Sequence, residues 1–226
     1  MGKITLLPET TKNPITLIGQ RAGICWGADI TDDKKNYERG LDCIKSNHGR
    51  TFEYVNVELV LQGYSTRVIR EWYTHIGGLP TRLQESTRYV DCSDFQYFTP
   101  DKIKKSEEAS KIYNQIMDCI KDGYRQLIGL GVLKEDAAMV MPLAMETKTV
   151  DKRNLRNLID MSRQRMCVRA YWEYRDIMND LCKVLSEYSE EWATIIRTEF
   201  KPKCEVLGYC PEKKSCGRYP QEVNKK

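Results

Sequence analysis

The sequence predicts an α+β fold, an antiparallel or mixed sheet flanked by a mainly helical second half. Three observations carry this. Residues 52–61, FEYVNVELVL, place Val55, Val57, Leu59 and Leu61 on one face, as in a half-buried strand. Helix-period patterns dominate after residue 100. Strand-like segments gather in the first half instead of alternating with helices, which argues against a doubly wound parallel sheet. With no internal repeat or low-complexity linker, the 226 residues read as one domain, 1–200, followed by a cysteine-containing tail, 201–226.

Taken in order, Ile4–Leu7, Ile15–Ile18 and Ala22–Trp26 read as two or three short strands separated by turns. Thr31-Asp32 marks a helix start, with Tyr37, Leu41 and Ile44 at three- and four-residue intervals behind it. After the strand at 52–61, Ser65 can cap a helix whose Val68, Ile69 and Trp72 share a face, and Gly77, Gly78 and Pro80 end it. Arg88–Phe98 reads as an interrupted strand. A long helix follows from about Lys102 to Ile128, with Ile112, Ile116, Cys119, Ile120 and Leu127 as its expected buried stripe. Further helices are expected over Lys134–Met141, Arg153–Met161, Met166–Tyr188 and Glu190–Phe200.

Composition sets the function classes. Apolar residues make up 41% and charged residues 30%, as in ordinary globular chains, and the formal charge of +4 is too mild to argue for a nucleic-acid polymer. No apolar run reaches membrane-spanning length and residues 1–16 lack a secretory apolar core, so a cytoplasmic protein is expected. The six scattered cysteines (25, 43, 92, 119, 167, 182) read mostly as buried reduced thiols. Cys204, Cys210 and Cys216 are spaced by five residues and lack the close pairs of a zinc motif. The tail therefore reads as a loosely ordered arm, with a metal or disulfide as the alternative.

Two polar stretches stand out as candidate sites. Residues 71–91, EWYTHIGGLPTRLQESTRYVD, combine a histidine, a Gly-Gly turn and Arg82 and Arg88, which suits anion binding, although such a segment is also an ordinary surface loop. Arg153, Arg156, Arg163, Arg165, Arg169 and Arg175 fall within 23 residues and form either a solvated face or an anion pocket shared with the first stretch. No P-loop, G-x-G-x-x-G after a strand, or H-E-x-x-H occurs.

In its order of blocks the chain resembles the flavin-dependent thymidylate synthase family. Residues 70–76, REWYTHI, are similar to the family's Arg-Gln-Trp-Phe-Arg-His-Arg, and Ser86-Thr87-Arg88-Tyr89 matches the end of the same signature. Arg165–Glu173, RMCVRAYWE, resembles Arg-x-x-x-[His/Arg]-Ala-Gln-Trp-Glu. Residues 135–142 resemble the family's helix ending in Val-Leu-Pro. Arg153, Leu155 and Asn157 resemble its flavin block, and Thr51-Phe52-Glu53 its Thr-Pro-Phe-Glu-His strand start.

The resemblance implies a homotetramer that binds FAD between subunits and methylates dUMP to dTMP. Methylenetetrahydrofolate would give the carbon, NADPH would reduce the flavin, and no cysteine nucleophile is required. It implies Arg165 as the catalytic residue against the uracil edge. Glu71, Thr74, Gln84, Glu85, Ser86, Thr87 and Arg88 are implied for the nucleotide. Thr51, His75, Ile76, Asp151, Arg153, Asn157 and Arg169 are implied for the flavin, and no metal is expected. The Pro-Cys pair of the sulfur-dependent route is absent.

The departures are specific. Thr74 and Ile76 replace both arginines of Arg-His-Arg, two extra residues separate His75 from Arg88, Ala138 stands for a phosphate-gripping arginine, and Asp151 for an asparagine. Glu71 replaces a glutamine, and Cys25 lies near a usual serine. A lost charge-assisted phosphate contact costs about 1.5–3 kcal/mol, and Arg82, Lys152 and Arg156 are the candidates to compensate. Other readings are another C5 modification, such as hydroxymethylation of a different pyrimidine nucleotide, or a non-catalytic nucleotide- or flavin-binding protein.

Overall fold

A computed structural model describes residues 2–221. Its centre is a four-stranded antiparallel sheet in the order β1-β2-β4-β3, formed by β1 (Lys3–Leu6), β2 (Asn56–Ser65), β3 (Thr81–Gln84) and β4 (Glu146–Asn154). The expected antiparallel pairing and α+β class hold. The segregation of strands into the first half does not, because β4 comes from beyond residue 140 and pairs with both β2 and β3.

The region expected to hold strands after Leu7 is helical instead. Helix α1 (Pro14–Cys25) packs against α2 (Asp33–Lys45), and Ile15, Ile18 and Ala22 enter the core at helical spacing. Two glycines make this packing possible. A β-carbon on Gly19 would overlap the Asn36 carbonyl, and one on Gly40 would overlap the Ile15 carbonyl. The α1 N-terminus is capped from a distance. The Glu191 carboxylate accepts from the Ile15 and Thr16 amides at 2.6 and 3.0 Å.

Asp32 caps α2 as its sequence suggests, accepting from the Lys34 and Lys35 amides. A 3₁₀ turn over Gly49–Tyr54 takes the first part of the expected strand, so β2 begins later. Ser65 caps α3 (Thr66–Trp72) by accepting from the Val68 amide. The buried Glu173 carboxylate in turn accepts from the Ser65 amide at 2.7 Å and its hydroxyl at 2.5 Å. That fixes α3 against the later helix that carries Glu173.

Residues 85–100 form turns rather than the expected strand, with one bridge between Tyr97 and Met145. Two helices, α4 (Asp101–Lys104) and α5 (Glu107–Gly129), replace the single long one. The stripe expected to be buried on α5 is largely open, since Ile112, Ile116 and Cys119 are exposed. Met117 and Tyr124 are its buried residues. After α6 (Lys134–Ala137) and β4 come α7 (Leu155–Arg165), α8 (Trp172–Tyr188), α9 (Glu190–Glu199) and α10 (Lys203–Leu207).

The main core joins Val57, Leu59 and Leu61 of β2 to Trp72, Leu158, Tyr174, Leu181 and Trp192. Among the described residues all nine cysteines are free thiols. Only Cys43 and Cys92 of the six scattered ones are buried, while Cys25 and Cys119 are exposed. The tail is folded against the body through α10 and its buried Cys204 and Cys210, in place of a loose arm. No helix among the described residues is long and apolar enough to cross a membrane.

Candidate active site

The end of α3 and the end of α7 meet. Arg165, at the C-terminus of α7, donates from Nε to His75 Nε2 at 2.9 Å and from Nη1 to Glu71 at 3.3 Å. These groups are about ninety residues apart in the chain and define one half-buried centre. The guanidinium lies 4.7 Å from the centroid of the Tyr174 ring, which also meets His75 edge-on and stacks on Trp72 at 5.7 Å. An arginine held by a carboxylate, an imidazole and an aromatic face has little freedom left, so its charge is fixed in direction.

Electrostatics decides the state of His75. Burial, then Arg165 and Arg153, pull its pKa down to about 4, so the imidazole is neutral at pH 7. Because Nε2 accepts from Arg165, the ring proton sits on Nδ1. Burial also raises the pKa of the Tyr174 phenol, whose buried oxygen has no hydrogen-bond partner among the described residues.

Behind this centre lies a second, fully buried group. Arg153 donates to both Asp151 oxygens at 2.5 and 2.7 Å, to Asn157 at 2.7 Å and to the Met161 sulfur at 2.8 Å, and it covers the Trp72 ring at 4.4 Å. Both members of the ion pair have no exposed side-chain surface. A lone buried charge would be prohibitive, and the bidentate partner makes it tolerable. Asp151, Arg153, Trp72, Tyr174 and Arg165 thus form one continuous support.

A cavity of about 850 Å³ opens beside Arg165, lined also by Asp160, Arg163, Arg169 and residues of the tail. Arg169 lies 3.7 Å from Glu212 and donates to the Lys214 carbonyl at 3.4 Å. A smaller cavity of about 340 Å³ shares Asn47, Asp160 and Arg163 with it and adds Arg50 and Arg156. Arg163, which the resemblance did not single out, lines both, and its buried Nε has no partner among the described residues. The arginine cluster read from residues 153–175 already contained it as a possible anion-pocket residue.

The remaining implied residues are spread more widely. Thr51 is buried and donates to the His48 carbonyl at 2.8 Å, whereas Ile76 is exposed. Thr74 is exposed and donates to the Glu71 carbonyl at 2.7 Å. Gln84 donates to Thr147 at 3.1 Å, and Glu85 accepts from the Lys148 amide at 3.1 Å. Glu85, Ser86 and Thr87 line a separate cavity of about 220 Å³ with Cys92 and Phe95. Arg88 pairs with Glu135 at 2.8 Å on the surface. Within one protomer, then, the Ser86–Arg88 stretch and Arg165 do not share a cavity.

Of the three candidate compensating cations, Lys152 is exposed and Arg156 pairs with Glu53 at 2.6 Å. Arg82 stacks on Tyr73 at 4.3 Å, and its buried Nη1 has no partner among the described residues. Arg82 alone of the three keeps an unused buried donor.

Comparison with known proteins bears on this geometry. Residues 6–189 match the family model described as thymidylate synthase complementing protein. A flavin-dependent thymidylate synthase of Nitratidesulfovibrio vulgaris is 33% identical over 191 residues, 78% of this chain and 74% of that protein. Enzymes of the same name from Clostridium tetani and Pyrococcus furiosus are 29% and 27% identical. Those matches cover 96% and 94% of this chain, and 94% and 91% of the relatives. With the family model spanning most of the chain and a relative 33% identical over 78% of it, this chain belongs to the flavin-dependent thymidylate synthase family.

Proposed function

We propose that the protein methylates C5 of dUMP to give dTMP, taking the carbon from methylenetetrahydrofolate and using FAD reduced by NADPH. The observation that carries this reading is the Arg165–His75–Glu71 centre at the edge of the 850 Å³ cavity, in a chain of this family. The residues present suit FAD. The cavity has the size of a cofactor site, several cationic donors line it, and Arg163 Nε is a buried donor that lacks an acceptor among the described residues. Arg163 and Arg169 are the groups to hold the diphosphate. Asp151, Arg153 and Asn157 are committed to one another and act by supporting Trp72. When bound, the reduced flavin supplies the hydride.

The chain's own contribution is charge and position. A guanidinium is a permanently charged group, and Arg165 presents it to the uracil edge as C5 becomes nucleophilic and the ring gains negative charge. Neutral His75 orients Arg165 without adding a competing positive charge. Glu71 fixes the second edge of the guanidinium. Ser86, Thr87 and Arg88, with Gln84 and Glu85 beside them, bind the nucleotide from a neighbouring subunit. The protein acts as a homotetramer, and the exposed Leu79, Leu83, Tyr89, Ile112, Ile116 and Met139 supply apolar surface for such contacts.

Growth of a thymidine-requiring bacterial strain without thymidine tests this. The wild-type chain is expected to rescue growth and Arg165→Ala to fail. Failure of a well-expressed, flavin-containing wild-type chain would move the reading to a different C5 modification.

A further inference from the structure

The segment that follows α9 folds back over the larger cavity, and what it buries is sulfur. Between residues 203 and 221, Cys204 and Cys210 alone are buried. Regular structure there is limited to the five residues of α10. So little apolar burial seldom holds a segment in place without a staple. Gly208 and Gly217, at φ of 76° and 91°, bend the chain so that Cys204, Cys210 and Cys216 all line the cavity. Cys167 lines it from the body, on the turn between α7 and α8. The family match ends at residue 189, so the three tail thiols lie beyond it.

We propose that these thiols form a redox-responsive latch, in which a low-molecular-weight disulfide converts Cys167 and Cys204 into an intramolecular disulfide that pins the tail across the cavity. Two features favour a pair of thiols over a metal site. As placed, no three Cys, His, Asp or Glu side chains among the described residues converge to hold an ion. The Cys204 thiol is raised by burial and lowered by Arg218, and Cys167 and Cys210 are near enough to raise it further. Cys167 stands between Arg165 and Arg169 in the chain and lines the same cavity as Cys204, where a small charged disulfide would meet Arg163, Lys203 and Lys214.

The chemistry balances. The Cys167 thiolate attacks the small disulfide and releases one thiol. Cys204 then attacks the mixed disulfide at the Cys167 sulfur and releases the second. Two protein S–H bonds are lost, one S–S bond forms, and the small disulfide is reduced to two thiols. The consequence reaches the site because Glu212 and Lys214, which hold Arg169, lie on the pinned segment.

The full-length reduced protein is incubated with oxidised glutathione, without denaturant, and analysed by intact mass and non-reducing peptide mapping. A loss of about 2 Da per chain and a Cys167–Cys204 peptide are expected, with Cys167→Ser and Cys204→Ser each stopping at a glutathione adduct on the remaining cysteine. A Cys204–Cys210 link, adducts on the wild type without loss of hydrogen, or one tightly bound zinc per chain blocking all four thiols would overturn the proposal. A second arm rests on the flavin reading. Bound FAD should leave the oxidised protein several-fold more slowly than the reduced one, with no difference in Cys167→Ser. Equal rates in the wild type would remove the latch function. Absence of bound flavin would count against the proposed activity, while the mass analysis still decides the disulfide.

Discussion

Arg165 has two partners, and one of them, His75, ties the centre to pH. Glu71 lies 3.3 Å from the guanidinium, and His75 is a neutral acceptor whose pKa is held at about 4. The sign follows from linkage. In the unfolded chain the imidazole takes up a proton as pH falls through about 6.5, while in the folded protein it resists until about 4. The unfolded state therefore binds more protons within that window, and stability falls as pH is lowered through it, levelling off below. Urea midpoints measured from pH 7 to pH 4 should fall less steeply in His75→Gln than in the wild type. Identical slopes would mean that His75 is not held neutral. Arg165 and His75 were legible in the sequence as members of two motifs. Their hydrogen bond was not, because nothing in either motif encodes contact across ninety residues. Tyr174 was overlooked for a related reason, since its significance comes from stacking, while Arg163 was legible only as one of six clustered arginines.

Local patterns misled where tertiary packing overrode them. Helix α1 contains two glycines, poor helix formers that give the sequence the look of short apolar strands between turns. Gly19 is there because α2 passes against it, and Gly40 serves the reciprocal contact. Gly19→Ala is accordingly expected to destabilise the fold, by about 1–3 kcal/mol as an overpacked contact, although alanine favours a helix. Chemical denaturation would check this, and an unchanged or raised midpoint would refute the close crossing. Strand β4 was missed for the opposite reason. Its inward residues are Thr147, Thr149, Asp151 and Arg153, so polar side chains occupy the face where a pattern search expects apolar ones. The buried ion pair and its hydrogen bonds make that inversion tolerable. The Ser65 cap and the strong periods of α8 and α9 agree with their tertiary surroundings and were readable.

A single protomer leaves the proposed site divided. Ser86 and Thr87 face one cavity, Arg165 faces another, and Arg88 is engaged with Glu135. Assembly of subunits is what would join them, and the open apolar stripe on α5 gives such assembly a driving force. The helical period in the sequence marks an apolar face on α5, but Ile112, Ile116 and Cys119 on it are exposed, because periodicity alone does not separate a buried face from an open one. Light scattering after size-exclusion chromatography should give a tetramer, and Ile112→Glu with Ile116→Glu a smaller species. A wild-type monomer would contradict the shared site. The most direct measurement is dTMP formation by the purified protein supplied with FAD, NADPH, methylenetetrahydrofolate and dUMP. dTMP is expected from the wild type, with a loss of about 100-fold or more in Arg165→Ala while flavin absorbance is retained. A flavin-loaded wild type that makes no dTMP, or an Arg165→Ala variant that makes it at an undiminished rate, would contradict the central role of that arginine.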